Sequence, residues 1–481
     1  MKNIIAKFVL AVLLVSTISC TFNNDSKDNN IKEIIVLYTN DEHGWLEPTD
    51  EFDGAPGLYA SWKNNEAYDG SDKFLILSGG DMWTGPAIST WFKGKPMIEA
   101  MNAMGYDVAT IGNHEFDFKV DYLTQQISEN INFPLISANI IDKNTGEIPS
   151  FAKPYVIIKA NGVKVGIIGL ASLSTPYTTF PANVADYQFT SYADAVEKYS
   201  AIAKNNGAEV LFIIGHICED EMEELVPVAK KCGVCLIGGG HCHKKVLRML
   251  DGVLLIESGS KMENYVKVNL HYNKNDKNVT IDNYNIIENK NGDLDTSIQS
   301  IVNYWKDKVD DVLSDKIGYC NKIIYESSTE MKNMLCDSWL HTFPNADVSI
   351  TNAGGIRQDI IAGDISLETI VSLLPFENSI YELNLTGAEL LNCITNLEVG
   401  GMTTINGNYL SDGRQIYSDS TYTVLTIDYL YSRDDNNFAL YDSVPYNTSV
   451  NYRQPLIDWM ISKNTSSQDP INNYLDYTPR K

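Results

Sequence analysis

Val108-Ala109-Thr110-Ile111-Gly112-Asn113-His114-Glu115-Phe116-Asp117 holds the pattern of the chain in one stretch: a short apolar run, a glycine, then side chains able to bind a cation. The arrangement recurs on both sides of it. Ile35-Val36-Leu37-Tyr38 leads into Thr39-Asn40-Asp41-Glu42-His43, and Leu75-Ile76-Leu77 into Ser78-Gly79-Gly80-Asp81. Further on, Phe212-Ile213-Ile214-Gly215 delivers His216, and Leu236-Ile237-Gly238-Gly239-Gly240 delivers His241-Cys242-His243. Runs this short, β-branched and continuously apolar read as strands buried on both faces, which is the habit of α/β folds. The spacing predicts strands at 34–38, 74–77, 108–111, 165–168, 210–214 and 234–237, with a crossover helix from Pro96 to Met104. Open α/β sheets place their ligands at the carboxyl ends of the strands, where these polar residues stand.

Five of the seven histidines (His43, His114, His216, His241 and His243) occupy those strand ends, leaving only His271 and His341 elsewhere. Imidazoles mixed with carboxylates suit Zn, Mn, Co or Fe better than the all-oxygen cages of calcium. Asp41, His43, Asp81, Asn113, His216, His241 and His243 are too many ligands for one tetrahedral ion. Two divalent ions about 3.5–4 Å apart, sharing a carboxylate, would polarise a phosphoryl oxygen and activate a water near neutral pH. That is machinery for hydrolysing phosphate esters.

Taken in order, Thr39-Asn40-Asp41-x-His43, Gly79-Gly80-Asp81, Gly112-Asn113-His114-Glu115-Phe116-Asp117, Gly215-His216 and Gly240-His241-x-His243 resemble the five metal motifs of calcineurin-like metallophosphoesterases. In detail the chain resembles the 5′-nucleotidase and UDP-sugar hydrolase branch. Phe133-Pro134-Leu135-Ile136-Ser137-Ala138-Asn139, Asn352-Ala353-Gly354-Gly355-Ile356-Arg357 and Leu374-Pro375-Phe376-Glu377-Asn378 carry the same likeness. It implies an N-terminal α/β/β/α sandwich joined by a helix to a smaller α+β C-terminal domain. It also implies that Asp41, His43, Asp81 and His243 hold one metal and that Asp81, Asn113, His216 and His241 hold the other, with Asp81 as the bridge. His114 would be catalytic, stabilising charge on the phosphoryl or leaving-group oxygen, and Asp117 would orient its imidazole. Glu115 would be structural. His243 stands where the family often has glutamine or asparagine.

In such relatives the C-terminal domain holds the organic part of the substrate. Asn352 and Arg357 are the candidate contacts there, a guanidinium fork being suited to phosphate. Phe438, in Arg433-Asp434-Asp435-Asn436-Asn437-Phe438, is the candidate face on which a base would stack. The likeness weakens at that end of the chain. The segment from Glu326 to Asn333 lacks the arginine many relatives carry, and Gly401-Met402-Thr403-Thr404 offers no ring where a first stacking partner is expected.

A chain of 481 residues exceeds what one core sustains, so more than one domain is expected. The boundaries read as a lipoprotein signal at 1–20, a polar tether at 21–32, the metallophosphoesterase domain at 33–290, an interdomain helix at 291–316 and the substrate-binding domain at 317–470, with a polar tail after about Asn464. Lys2 and Lys7, the apolar run Phe8–Val15 and Ser16-Thr17-Ile18-Ser19-Cys20 form the export segment. Cys20 would then carry the lipid, anchoring the protein to a membrane and facing the periplasm or cell surface. Cys218, Cys232, Cys235 and Cys242 lie close together; because Cys235 sits in an apolar run, a buried thiol or a local disulfide is favoured over a zinc knuckle.

A net charge of -25 repels a nucleic-acid backbone, so no DNA or RNA partner is expected. The sequence also lacks a Walker phosphate loop, a Gly-x-Ser-x-Gly elbow and a His-Glu-x-x-His helix. The expected activity is hydrolysis of nucleoside 5′-monophosphates. UDP-sugars or cyclic nucleotides are the alternatives within the fold, and a surface lipoprotein that only binds nucleosides or metal is the alternative outside catalysis.

Overall fold

The structure is a computed structural model describing residues 30–481. The signal segment, Cys20 and most of the tether fall outside the described residues. The apolar runs form two six-stranded sheets. In the first, the spatial order is Asn278–Glu288, Asn264–Asn273, Ile31–Thr39, Phe74–Ser78, Val108–Thr110 and Leu135–Ile136. In the second it is Lys245–Leu250, Val253–Ser258, Val234–Gly238, Val210–Gly215, Val163–Leu170 and Tyr155–Ala160. The strands that deliver the polar motifs run parallel, and antiparallel strands finish the sheets.

Alternation of side chains along each strand explains the layering. Ile34, Val36, Leu75, Leu77 and Val108 face Val165, Ile167, Phe212, Ile214 and Leu236 in a core between the sheets. Ile35, Leu37 and Ile76 point the other way, into a helical layer containing Trp62, Trp83, Met97 and Met101. Ile168, Leu170, Leu211 and Ile213 meet a second helical layer through Val196, Leu225 and Val226. The result is an α/β/β/α sandwich. The strand Asn278–Glu288 is hidden in the sequence because one of its faces is exposed and its Asn, Asp and Thr residues break up the apolar signal.

The helix Thr296–Leu313 follows, its first turn capped by the Asp295 carboxylate, which accepts from the amides of Ser297 and Ile298. Ile298, Val302, Val309 and Leu313 are buried in the same apolar cluster as Val371 from the C-terminal part, so this helix is cemented between the two. Beyond it lies a five-stranded sheet ordered Glu398–Gly400, Val348–Thr351, Thr421–Ile427, Ser379–Thr386 and Tyr446–Asn451. Helices including Thr329–Thr342 and Gln454–Lys463 enclose its core.

Two expectations are corrected here. Phe438 is 0 % exposed within this C-terminal core and offers no face to a ligand, because its ring fills space among aliphatic side chains. The residues after Asn464 are no loose tail: Ile471 is buried, and Arg480 makes a two-pronged contact with Asp337 at 2.8 and 2.6 Å. Polar composition concealed this docking because it is carried by charge pairs and backbone contacts. Arg480→Ala is expected to lower stability by about 2 kcal/mol, the scale of hydrogen bonds to charged groups, as read from denaturant unfolding.

Candidate active site

Every polar motif of the sandwich arrives at one end of the parallel strands. Asp41, His43, Asp81, His241 and His243 all adopt left-handed backbone, with φ of 51°, 46°, 59°, 72° and 54°. Each such residue costs roughly 1–2 kcal/mol without a glycine's freedom. The strain is held by a network of amides. Glu115, buried and with its carboxyl pushed up to about 7 mainly by burial, accepts from the backbone N–H of Asp81, Met82 and Gly112. The amide of His114 donates to Asp81 at 2.8 Å, and that of His241 donates to Asp41 at 3.0 Å. A Cβ on Gly112 would stand 2.2 Å from an Asp81 oxygen, so only glycine fits beside it.

The side chains converge in two groups that share a centre. Asp41, His43 and His243 bring ligand atoms within 4.8 Å of one another, as do Asp81, His216 and His241. His43, Asp81 and His114 form a third such group, which places Asp81 at the junction. Imidazole orientation is set from behind: His43 Nδ1 contacts the Thr84 carbonyl at 3.0 Å and His216 Nδ1 the Gly79 carbonyl at 2.9 Å, leaving each Nε2 toward the site. His216 Nε2 reaches Asp81 at 2.9 Å, and His243 Nε2 reaches Asp41 at 3.3 Å.

This donor set is suited to a cation. Asp41 and Asp81 are 0 % and 2 % exposed, and among the described residues their ion-pair partners are all imidazoles. Burial alone would strip the proton from His216, yet Asp81 and Asp41 push it up to about 10, while burial and His216 press His241 down to about 4. Asn113 commits its Nδ2 to the Thr178 carbonyl at 3.0 Å, and its buried Oδ1 has no hydrogen-bond partner. A buried carbonyl oxygen without a donor beside two buried carboxylates fits a divalent ion.

His114 Nδ1 lies 2.7 Å from Asp117, and its Nε2 faces Asp81 at 3.9 Å. Burial lowers this imidazole's basicity, but Asp117 and Asp81 outweigh it and leave the ring above its ordinary value. A cavity of about 490 Å³ opens in front, lined by Asp81, Asn113, His114, Asp117, His241 and His243 from the sandwich and by Asn352 and Arg357 from the C-terminal part. Phe438 is not among its walls. The rings that do line it are Phe118, Phe180, Phe376 and Tyr429, and Phe376 stacks over His114 at 5.7 Å between centroids. Phe376 stands in one of the motifs that carry the family likeness, which assigned it no role. Tyr429 gave no signal of its own, although the strand-end rule could have found it, since Ile427 and Asp428 at the end of Thr421–Ile427 also reach the cavity.

The four clustered cysteines divide. Cys218 and Cys242 form a disulfide, while Cys232 and Cys235 remain free thiols. Cys242 stands between His241 and His243, and Cys218 two residues after His216, so the bond ties together the loops carrying three candidate ligands.

A parallel-stranded double sheet with a histidine–aspartate cluster at its strand ends is the calcineurin-like phosphoesterase fold. More narrowly, the chain is a relative of the 5′-nucleotidases, and residues 316–410 match the 5′-nucleotidase C-terminal domain family. It is 24% identical to a 5′-nucleotidase of Vibrio cholerae, over 88% of this chain and 89% of that protein. It is 26% identical to the trifunctional nucleotide phosphoesterase protein YfkN of Bacillus subtilis over 79% of this chain, while spanning only 29% of that longer protein. The crystal structure of a 5′-nucleotidase precursor from Thermus thermophilus superposes with a TM-score of 0.78 at 18% identity, covering 93% of this chain and 98% of that one. Relatives of this chain thus include 5′-nucleotidases, and its fold neighbours include a calcineurin-like phosphoesterase.

Replacing both Cys218 and Cys242 by serine frees the loop between His241 and His243. Metal affinity is expected to fall about 10–100-fold, the range seen when groups supporting metal ligands are lost, as measured by manganese titration calorimetry.

Proposed function

We propose that the chain is an exported, lipid-anchored phosphatase that uses two divalent ions to hydrolyse nucleoside 5′-monophosphates to nucleoside and phosphate, in nucleotide breakdown or salvage. One observation carries the reading: the cavity that meets both histidine–aspartate groups is closed on its other side by Arg357 and Asn352. Asp41, His43, Asp81 and His243 would hold one ion, and Asp81, Asn113, His216 and His241 the other. When bound, the ions supply Lewis acidity and a water activated near neutral pH.

The chain's own groups do the rest. Arg357 offers a planar fork to the phosphate oxygens, matching their geometry as an ammonium could not. Asn352 stands beside it in the cavity wall, its Oδ1 free for a substrate donor. Asp117 holds the Nδ1 proton of His114, so His114 Nε2 presents its proton to the oxygen that gains charge as the ester breaks. Phe376 shields that ring from water on one side. The likeness to the Vibrio cholerae 5′-nucleotidase, nearly end to end, supports a mononucleotide as substrate. The buried Phe438 leaves base recognition to Tyr429, Phe180 and Phe118, which favours broad selectivity over one base.

Export is supported by the Lys2-to-Cys20 segment together with the Cys218–Cys242 disulfide, since such bonds persist in oxidising compartments. Among the described residues no helix is long and apolar enough to cross a membrane; the attachment proposed is through Cys20.

The test is phosphate release from AMP, UMP, UDP-glucose, a cyclic nucleotide and an aryl phosphate by manganese- or zinc-loaded protein. Mononucleotides should be hydrolysed, and His114→Ala should slow them about 10²–10³-fold with metal content unchanged. Activity confined to the other esters would overturn the substrate, and no turnover with metal bound would leave a binding lipoprotein.

A further inference from the structure

One short segment of the sandwich, Ser174 to Thr179, takes no direct part in the chemistry above yet is bonded to three of the groups that do. Ser174 Oγ lies 3.0 Å from His241 Nε2. The Thr178 carbonyl accepts from Asn113 Nδ2 at 3.0 Å, which fixes the amide so that Oδ1 is the atom left over. The Thr179 hydroxyl donates to Asp117 Oδ1 at 3.0 Å, while the other oxygen of the same carboxylate holds His114 at 2.7 Å. Asp117 is thus gripped on both oxygens, once by the imidazole it orients and once by this segment.

The opposite side of the segment is held by the C-terminal part. The Tyr177 carbonyl accepts two hydrogen bonds at 2.7 Å, one from Tyr429 Oη and one from Arg433 Nη1. Arg433 is itself braced: its Nη1 donates to Tyr429 Oη at 2.8 Å, and its other nitrogens grip the Asp435 carboxylate, Nε at 2.8 Å. Arg433 does not line the cavity, so it reaches the site only through what it holds. A carbonyl with two donors, one cationic, is firmly placed, and a three-residue span then carries that placement to Thr178 and Thr179.

We infer that Ser174–Thr179 is a coupling segment through which Tyr429 and Arg433 position Asn113 and the Asp117–His114 pair, with Thr179 and Arg433 as positioning residues. The site is then fully formed only while the C-terminal part is docked on Tyr177. In its catalytic consequence this rests on the phosphatase reading; its structural consequence, the seating of Asn113 for a metal, does not.

The test uses the full, manganese-loaded protein. Thr179→Val, nearly the same in volume but without the hydroxyl, should lower kcat for AMP about tenfold with KM little changed, and Thr179→Ser should recover most of the loss. Arg433→Ala should lower kcat severalfold, and the double variant should be no worse than Thr179→Val alone, since both changes break one path. Arg433→Ala should also speed the loss of manganese to a chelator. Losses that multiply in the double variant, or an unchanged kcat in Thr179→Val, would overturn the coupling. If the wild type releases no phosphate, the phosphatase reading falls and the chelator rate alone decides: an unchanged rate in Arg433→Ala sinks the inference, and a faster one upholds it.

Discussion

Two carboxylates, Asp41 and Asp81, sit almost without solvent at the ends of neighbouring strands, and an unpaired buried charge is among the most expensive things a fold can contain. The surrounding structure is arranged around that problem. Imidazoles from four loops turn inward, His43 and His216 aimed by a carbonyl behind them, His241 by a hydroxyl and His114 by the Asp117 carboxylate. Backbone amides of His114 and His241 add donors to the same two carboxylates. The chain accepts five left-handed residues to make those loops turn so sharply, and Glu115 then binds three of the resulting amides. Without the negative centre there is no reason for this strain; with it, a divalent cation is the natural counterion.

The need to close the loops also explains the disulfide. Glycine-rich turns such as Gly238-Gly239-Gly240 permit close approach but contribute no side-chain packing of their own. The Cys218–Cys242 bond supplies a covalent limit where packing cannot. Its position between two histidines makes it part of the architecture of the site and not a remote staple.

How much of this could be read from residues alone divides by physical cause. The six strand runs were visible because parallel strands buried on both faces are apolar throughout, and the ligand-type residues were visible because glycine and histidine punctuate those runs at the strand ends. Thr296–Leu313 showed through the helical spacing of Ile298, Ile301, Val302, Trp305 and Val309 alone. What the sequence concealed depends on distance in the chain. The Thr179–Asp117 and Tyr429–Tyr177 contacts bridge 62 and 252 positions and involve residue types that are ordinary in loops. Phe438 misled because an aromatic residue after a polar turn looks the same whether it caps a pocket or fills a core. Only packing separates the two, and here Leu383, Leu425 and Leu430 belong to the cluster that encloses it. The C-terminal tail misled for the opposite reason, since its docking uses Arg480, backbone carbonyls and the isolated Ile471, too little to leave an apolar pattern.

The electrostatics of the whole molecule bear on what kind of recognition is possible. A net charge of -25 makes the distant field repulsive to a phosphate ester, and at physiological salt that field decays over about 8 Å. Long-range steering therefore cannot bring an anionic substrate in, and attraction has to be generated within the last few ångströms. Within the cavity the fixed positive charge comes from Arg357 of the C-terminal part, from Lys119 of the sandwich and from whatever cation Asp41 and Asp81 retain. This places the demand for positive charge on opposite walls, one on each side of the junction between the sandwich and the C-terminal part. A phosphate held between them would itself draw the two parts together, and the Tyr177–Tyr429–Arg433 contacts lie where that closure would be registered. On the proposed reading, substrate binding and site assembly would be one event, letting a protein with an unfavourable overall charge select for a compact, strongly anionic group.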